Sequence, residues 1–131
     1  ARVGAVECLP AACAVLKENR RRLGGWNIRV VQGSAPQALA GLPAPDAVFL
    51  GGTGGELGPI LDAVWAANPA ARVCLTAIAL ETLAAALEAF AARGRKADAV
   101  QIAAAHAGGP GRLHLLRAEN PVFILTAKEK V

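Results

Sequence analysis

The stretch Asp46-Ala47-Val48-Phe49-Leu50-Gly51-Gly52-Thr53-Gly54-Gly55 sets the expected fold of this chain. Residues 47–50 are apolar without alternation, which predicts a strand buried on both faces, as in a parallel sheet. The glycines that follow free the backbone for tight turns and for close approach to a ligand. Ligands of open α/β sheets lie outside the carboxyl ends of the strands. The loop is therefore either part of a small-molecule site or a plain turn into the next helix.

Along the rest of the chain, short apolar runs alternate with segments whose apolar residues recur at helical spacing. Strands are predicted at residues 2–7, 28–31, 47–50, 72–78, 97–105 and 122–127, and helices begin at Pro10, Glu56 and Leu80. In the second of these helices, one apolar face is predicted to be buried, at Leu57, Ile60, Leu61, Val64 and Trp65. This alternation predicts a mostly parallel sheet with right-handed crossovers. The connection 107–120 has no helical pattern and contains a Gly-Gly-Pro-Gly loop within 106–113, so the final strand is predicted to be antiparallel.

Length and composition favour one domain without a membrane span. The chain has 131 residues, of which 54% are hydrophobic, but alanine supplies much of that fraction. It contains no apolar run of about 18 residues and no apolar leader, so we expect a cytoplasmic protein without a membrane partner. Cys8, Cys13 and Cys74 form no CxxC pair and are expected to be small buried side chains. With only two histidines, a metal site is not expected.

The net charge of +4 suggests an anionic partner only weakly. The densest basic run, 17–22, is typical of a solvated helix end, where cations complement the helix dipole. Aromatic residues make up 4% of the chain and tyrosine is absent from it, which leaves little to stack on bases. Nucleic acid is therefore not an expected partner.

Three predicted strand ends carry candidate ligand contacts. Glu7 ends the first strand, Ser34 and Ala35 follow the second, and the glycine loop follows the third. A carboxylate at such a position can accept hydrogen bonds from both hydroxyls of a ribose. Alternatively, Glu7 is a solvated or helix-capping glutamate.

These segments resemble a known family. Residues 3–7 and 30–39 are similar to the second and third strands of class I S-adenosylmethionine-dependent methyltransferases. Residues 45–55, 79–83 and 119–125 resemble, more specifically, the decarboxylating precorrin methyltransferases of the cobalamin pathway, of the precorrin-6Y C5,15 and precorrin-6B carbon-15 types. The resemblance implies a Rossmann-like α/β sheet, mostly parallel with an antiparallel final strand.

The resemblance also implies a function and a set of contacts. The reaction would be methylation of a precorrin at carbon 15 with decarboxylation of the carbon-12 acetate, with S-adenosylmethionine as donor and S-adenosylhomocysteine as product. Glu7 would hold the ribose, and Ser34 and Ala35 would border the adenine. Gly51 and Gly52 would border the methionine moiety and the macrocycle, and Thr53 and Gly54 would contact the macrocycle. No catalytic residue is assigned.

The sequence departs from the family at two places. Relatives usually have Asp at the position of Ser34, so the contact with the adenine amino group would lack a charge. The family's first strand and Gly-rich loop should precede Ala1, and the chain has no methionine. We therefore expect residues 1–131 to be a single, amino-terminally incomplete methyltransferase domain, with the absent strand between the Glu7 strand and the Asp46 strand.

The substrate would be a polycarboxylate, so His106, Arg112 and His114 in the last connection are candidate carboxylate clamps. The alternative for them is an ordinary exposed loop. For the whole chain, the alternatives are a class I methyltransferase acting on RNA or protein, or a non-catalytic macrocycle-binding or oligomerisation domain. No Asn-Pro-Pro-aromatic motif stands at the glycine loop, which argues against an adenine-N6 or glutamine methylase. The family resemblance also suggests a homo-oligomer.

Overall fold

The computed structural model describes residues 1–130, with side chains through Ala127, as an α/β fold. The strands are β1 (Val3–Glu7), β2 (Ile28–Gln32), β3 (Ala47–Leu50), β4 (Arg72–Ala77), β5 (Arg95–Ile102), β6 (Ala105–Gly108), β7 (Leu115–Ala118) and β8 (Val122–Lys130). The helices are α1 (Pro10–Arg22), α2 (Leu57–Ala67), α3 (Leu80–Ala91) and a 3-10 helix (Gln37–Gly41). Within residues 1–130, no helix combines the length and apolar character that crossing a bilayer requires.

The strands form three hydrogen-bonded groups. β1 and β2 pair in parallel, and the main sheet has the order β3-β4-β8-β5. In that sheet β3 and β4 are parallel, whereas β8 is antiparallel to both β4 and β5, which confirms the predicted direction of the final strand. β1 is not paired with β3 in the described part of the chain. A further strand between them remains a prediction.

The core lies on one face of the main sheet, under α2 and α3. The apolar stripe predicted for α2 is buried in full, at Leu57, Ile60, Leu61, Val64 and Trp65. These side chains meet β4, β8 and the buried side of α3 in one cluster. The Trp65 ring lies 6.0 Å from that of Phe90, between centroids, and its Nε1 donates to the carbonyl oxygen of Ala71 at 3.0 Å. The Arg95 guanidinium covers the same indole at 4.3 Å.

The first helix follows the predicted signals at both ends. Pro10 is its first residue, three arginines occupy its last turn, and Gly24 beyond it has φ of +68°, which favours glycine. Cys13 is fully buried and its Sγ donates to the carbonyl oxygen of Glu7 at 3.3 Å. Cys8 is exposed and Cys74 is half-buried, so the expectation of three buried cysteines holds for Cys13 alone.

The prediction that β3 is buried on both faces is wrong. Val48 and Leu50 pack against the core, but Phe49 is 66% exposed. Side chains alternate between the two faces of a strand, and both packed helices contribute to the cluster on one face. The described residues leave the Phe49 face uncovered.

The predicted strand 97–105 is confirmed only as far as Ile102, and the predicted loop 106–113 is wrong at residues 106–108. β5 ends at Ile102, and a separate β6 begins at Ala105 and pairs antiparallel with β7. The Glu119 N–H donates to the carbonyl oxygen of Ala104 at 2.9 Å and closes this hairpin. The run 97–105 contains neither glycine nor proline, so its composition gives no signal for the break between the two strands.

Leu61 and Leu23 provide a matched test of this core. Leu61 is 0% exposed, whereas Leu23, just beyond α1, is 83% exposed. We expect Leu61→Ala to lower the free energy of unfolding by about 2–5 kcal/mol through lost burial and a cavity. Leu23→Ala should change it by about 0.5 kcal/mol or less. Urea unfolding of both variants measures the difference, and equal effects would contradict the described core.

Candidate functional site

The glycine loop leaves the carboxyl end of β3 and turns into α2. Its turn is closed by the Glu56 N–H, which donates to the carbonyl oxygen of Thr53 at 2.9 Å. Gly54 and Gly55 have φ of +56° and +89°, which L side chains rarely adopt. Gly52 has no such φ, and a Cβ added there would meet no atom within 4 Å. The loop therefore needs glycine for its turn at two positions and leaves open space at a third.

Two adjoining cavities lie where β3 and β4 end. The register pairs Leu50 with Leu75, so these parallel strands end at the same edge of the sheet. The larger cavity has a volume of about 400 Å³ and is lined by residues 51–55, 76–79 and Thr82. The smaller has about 40 Å³ and is lined by residues 50–53, Leu57, Leu75, Thr76 and Thr82. Gly51, Gly52 and three threonines border both of them.

Hydroxyl groups supply the polar side chains of these cavities. Thr53, Thr76 and Thr82 line both, and the other lining residues are apolar or glycine. No charged side chain of the described residues is among those lining residues. Elsewhere in the described part of the chain, no group of three or more His, Cys, Asp or Glu is placed to hold a metal ion.

Glu7 ends β1 and is half-buried. Its Oε1 accepts a hydrogen bond from the Leu9 N–H at 2.8 Å, at the start of α1. That bond, together with weaker hydrogen bonds from Cys8, outweighs desolvation and lowers the pKa of the Glu7 carboxyl below its ordinary value. The side chain thus makes a local contact with the backbone just before α1, and the lowered pKa favours its carboxylate form.

The two predicted adenosine contacts lie at the same end of the β1–β2 pair. The Gly33 N–H donates to the carbonyl oxygen of Glu7 at 3.0 Å, which brings the backbone next to Ser34 close to β1. Ser34 is exposed, whereas Ala35 is half-buried and packs against the main core. Glu7, Ser34 and Ala35 therefore form a group apart from the two cavities, and none of the three lines them.

The candidate carboxylate clamps lie on the β6–β7 hairpin. His106 is in β6, not in a loop, and its Nε2 is 3.8 Å from Glu119 Oε1. Arg112 and His114 lie in the turn between the two strands and are exposed. None of these three residues lines either cavity.

Thr76 and Thr82 were not predicted as site residues. Thr76 is at the end of β4, beside the end of β3, and Thr82 is in the first turn of α3. The sequence did contain a signal for Thr76. Neighbouring parallel strands end at one edge of a sheet, so the end of β4 is expected to lie beside the glycine loop that follows β3. No feature of the sequence marked Thr82 as part of the cavity.

The chain matches known proteins along nearly its whole length. Residues 1–129 match the family model described as the precorrin methyltransferase domain. A Salmonella typhimurium protein named cobalt-precorrin-6B C(15)-methyltransferase (decarboxylating) is 36% identical over 132 residues, which cover 98% of this chain and 67% of the relative.

Solved structures show the same fold. A precorrin-6y C5,15-methyltransferase from Geobacter metallireducens superposes with a TM-score of 0.89 at 32% identity, covering 98% of this chain and 67% of that one. A precorrin 8w decarboxylase from Methanobacterium thermoautotrophicum gives 0.88 at 32% identity, covering 97% and 69%. The chain thus spans about two thirds of the length of these relatives. The predicted α/β methyltransferase fold class is confirmed.

Alanine substitutions separate the two uses of glycine in the loop. Gly54→Ala should lower the free energy of unfolding by about 1 kcal/mol or more, because its φ of +56° strains an L side chain. Gly52→Ala is the control, since its added methyl group meets no atom within 4 Å. Thermal unfolding compares the two variants, and an equal loss in both would contradict the described turn.

The Glu7 contact makes a prediction for acid unfolding. Because its pKa is lowered in the folded protein, the unfolded chain binds this proton more tightly. The stability it contributes is complete above the ordinary glutamate pKa and is lost as pH falls through the lowered value. Urea unfolding between neutral pH and about pH 3 should therefore show a shallower acid decline in Glu7→Gln than in the wild type. Parallel curves would contradict the Leu9 contact.

Proposed function

The chain belongs to the precorrin methyltransferase domain family, and from this premise we propose that it methylates a precorrin at carbon 15 and decarboxylates the carbon-12 acetate. The observation that carries the proposal is the family match over residues 1–129 together with a glycine-lined cavity at the ends of β3 and β4. The relatives' names combine the same two activities, C(15)-methylation and decarboxylation.

The end of the β1–β2 pair suits the nucleoside part of S-adenosylmethionine. Glu7 is held ionised by the Leu9 N–H, and a carboxylate can accept hydrogen bonds from ribose hydroxyls. Ser34 and Ala35 follow β2 beside it and would border the adenine, with the Ser34 hydroxyl as an uncharged acceptor for the amino group. The hydrogen bond between Gly33 and Glu7 fixes the two contacts relative to each other.

The glycine loop suits the methionine end of the cofactor and the macrocycle. A Cβ at Gly52 or Gly54 would meet no atom within 4 Å, so open space lies over the loop backbone. We assign Gly51 and Gly52 to the methionine moiety and Thr53 and Gly54 to the macrocycle. The cavity of about 400 Å³ that these residues line would receive part of the large substrate.

Bound S-adenosylmethionine would supply an electrophilic methyl group on its sulfonium. The residues of this chain then have to orient carbon 15 in line with that methyl group and to exclude water. Glycine backbone and apolar walls do both without an acid–base pair. Attack on the methyl carbon consumes an electron pair of the macrocycle, and cleavage of the acetate carboxylate returns one.

Four further assignments are part of the proposal. His106, Arg112 and His114 are carboxylate clamps that engage the macrocycle from the exposed hairpin, where cations remain accessible. The active protein is a homo-oligomer, because the hairpin also exposes Leu113, Leu115 and Leu116. Residues 1–131 are one domain that another strand completes between β1 and β3. The reaction takes place in the cytoplasm.

Cofactor affinity tests the assignment of Glu7. In calorimetry on the full-length protein, we expect binding of S-adenosylhomocysteine, weakened about 10-fold or more by Glu7→Gln through loss of a charged hydrogen-bond acceptor. Glu88→Gln on the exposed side of α3 is the matched control and should bind like the wild type. Mass spectrometry of the product with cobalt-precorrin-6B then tests the reaction. Absence of heat with both S-adenosylmethionine and S-adenosylhomocysteine would overturn the methyltransferase proposal.

A further inference from the structure

The smaller cavity differs from the larger one in size. At about 40 Å³ it can hold a group of a few atoms, since a single water needs about 10–15 Å³ by the same measure. It adjoins the cavity of about 400 Å³ through the glycine loop and the three threonines. Its volume therefore suits one substituent of a macrocycle placed in the larger cavity.

The walls of this pocket are mostly apolar, and the pocket is partly open to solvent. Leu57 and Leu75 belong to the buried core, at 8% and 3% exposure, and Leu50 packs against the same cluster. Its polar side chains are the hydroxyls of Thr53, Thr76 and Thr82, which can donate hydrogen bonds to an anionic oxygen. No charged side chain of the described residues lines it.

We propose that this small pocket, which we term the carboxylate pocket (the cavity lined by Leu50, Leu57, Leu75, Thr53, Thr76 and Thr82), receives the acetate carboxylate that leaves as carbon dioxide. The inference rests on the proposed function and deepens it by assigning a subsite for decarboxylation. The hydroxyls hold the carboxylate in place, and the apolar walls displace part of its water.

No charged side chain of the described residues lines the pocket to pair with the carboxylate, which would favour loss of carbon dioxide there. Moving a carboxylate from water into apolar surroundings is costly unless a cation pairs with it. Cleavage of the bond between the acetate methylene and the carboxylate carbon forms neutral carbon dioxide and leaves the electron pair on the methylene. Conjugation with the macrocycle delocalises that electron pair, and the methylene takes up one proton to become a methyl group. At the other reacting position, carbon 15 loses one proton as it gains its methyl group.

A cation at the pocket should therefore slow the reaction while favouring binding. Thr82 is exposed in the first turn of α3, so Thr82→Lys can be accommodated by the fold. With the full-length protein and cobalt-precorrin-6B, we expect release of carbon dioxide to be about 10-fold slower or more, because an ion pair stabilises the bound carboxylate. The Kd of the macrocycle, from spectral titration, should be unchanged or lower.

Ala92→Lys is the matched control. It adds the same charge at the exposed carboxyl end of α3, about 15 Å along the helix from Thr82, and should leave both measurements unchanged. Unchanged release of carbon dioxide in Thr82→Lys would overturn the inference. So would a parallel loss of macrocycle affinity, which a merely disturbed site would produce.

A second variant removes a hydroxyl at nearly constant volume. Thr76→Val should weaken macrocycle binding about 5-fold, because one donor to the carboxylate is lost. Release of carbon dioxide from the bound macrocycle should then be no slower than in the wild type, because the bound carboxylate is less stabilised. Binding equal to the wild type would overturn the role of Thr76. If the wild type itself forms neither methylated nor decarboxylated product, the proposed function fails as a whole, whereas an active wild type with insensitive variants refutes the carboxylate pocket alone.

Discussion

Parallel pairing of β3 with β4 is the constraint on which the rest of the site depends. Because Leu50 is aligned with Leu75, both strands deliver their following segments to one edge of the sheet. Each segment then enters a helix, α2 or α3, that packs on the same face of the sheet. The buried side chains of these two helices, among them Leu61 and Phe90, belong to one core. The glycine loop and the threonines at 76 and 82 meet as a consequence of that packing, without any direct hydrogen bond between them that the structure describes.

The nucleoside end of the proposed site is held by a different set of interactions. Within the described residues, β1 and β2 pair with each other and not with the main sheet. Contact with the main core comes from the connection after β2, where Ala35 and Leu39 pack against the buried cluster. The Gly33 N–H on the Glu7 carbonyl joins that connection to β1. The position of Glu7 relative to the glycine loop thus depends on how this connection packs against the core. Within residues 1–130, no hydrogen bonds between strands join the β1–β2 pair to the main sheet.

Predictions from the sequence are confirmed where a residue pattern is compatible with only one local structure. The five apolar residues of α2 fall on one helical face, and all five are buried. The lack of a helical pattern in 107–120 predicted an antiparallel β8, as observed. The predictions are wrong where burial depends on what covers a face, as at Phe49, and where an alanine-rich run carries no break signal, as at Ala105. Thr82 was missed because its position in the cavity comes from how α3 packs, which local sequence does not record.

The distribution of charge bears on how the proposed substrate would bind at the two cavities. The chain carries a net charge of +4, and several cations among the described residues lie exposed at the end of α1 and on the hairpin. Such exposed charges attract a polycarboxylate from solution and pair weakly with it, because water screens them. The cavities at the strand ends add hydroxyls and backbone, and no charged side chain of residues 1–127 lines them. A macrocycle with several carboxylates would therefore keep most of them near water or cations. The carboxylate that enters the carboxylate pocket would lose part of its hydration, and its release as carbon dioxide would remove that free-energy cost.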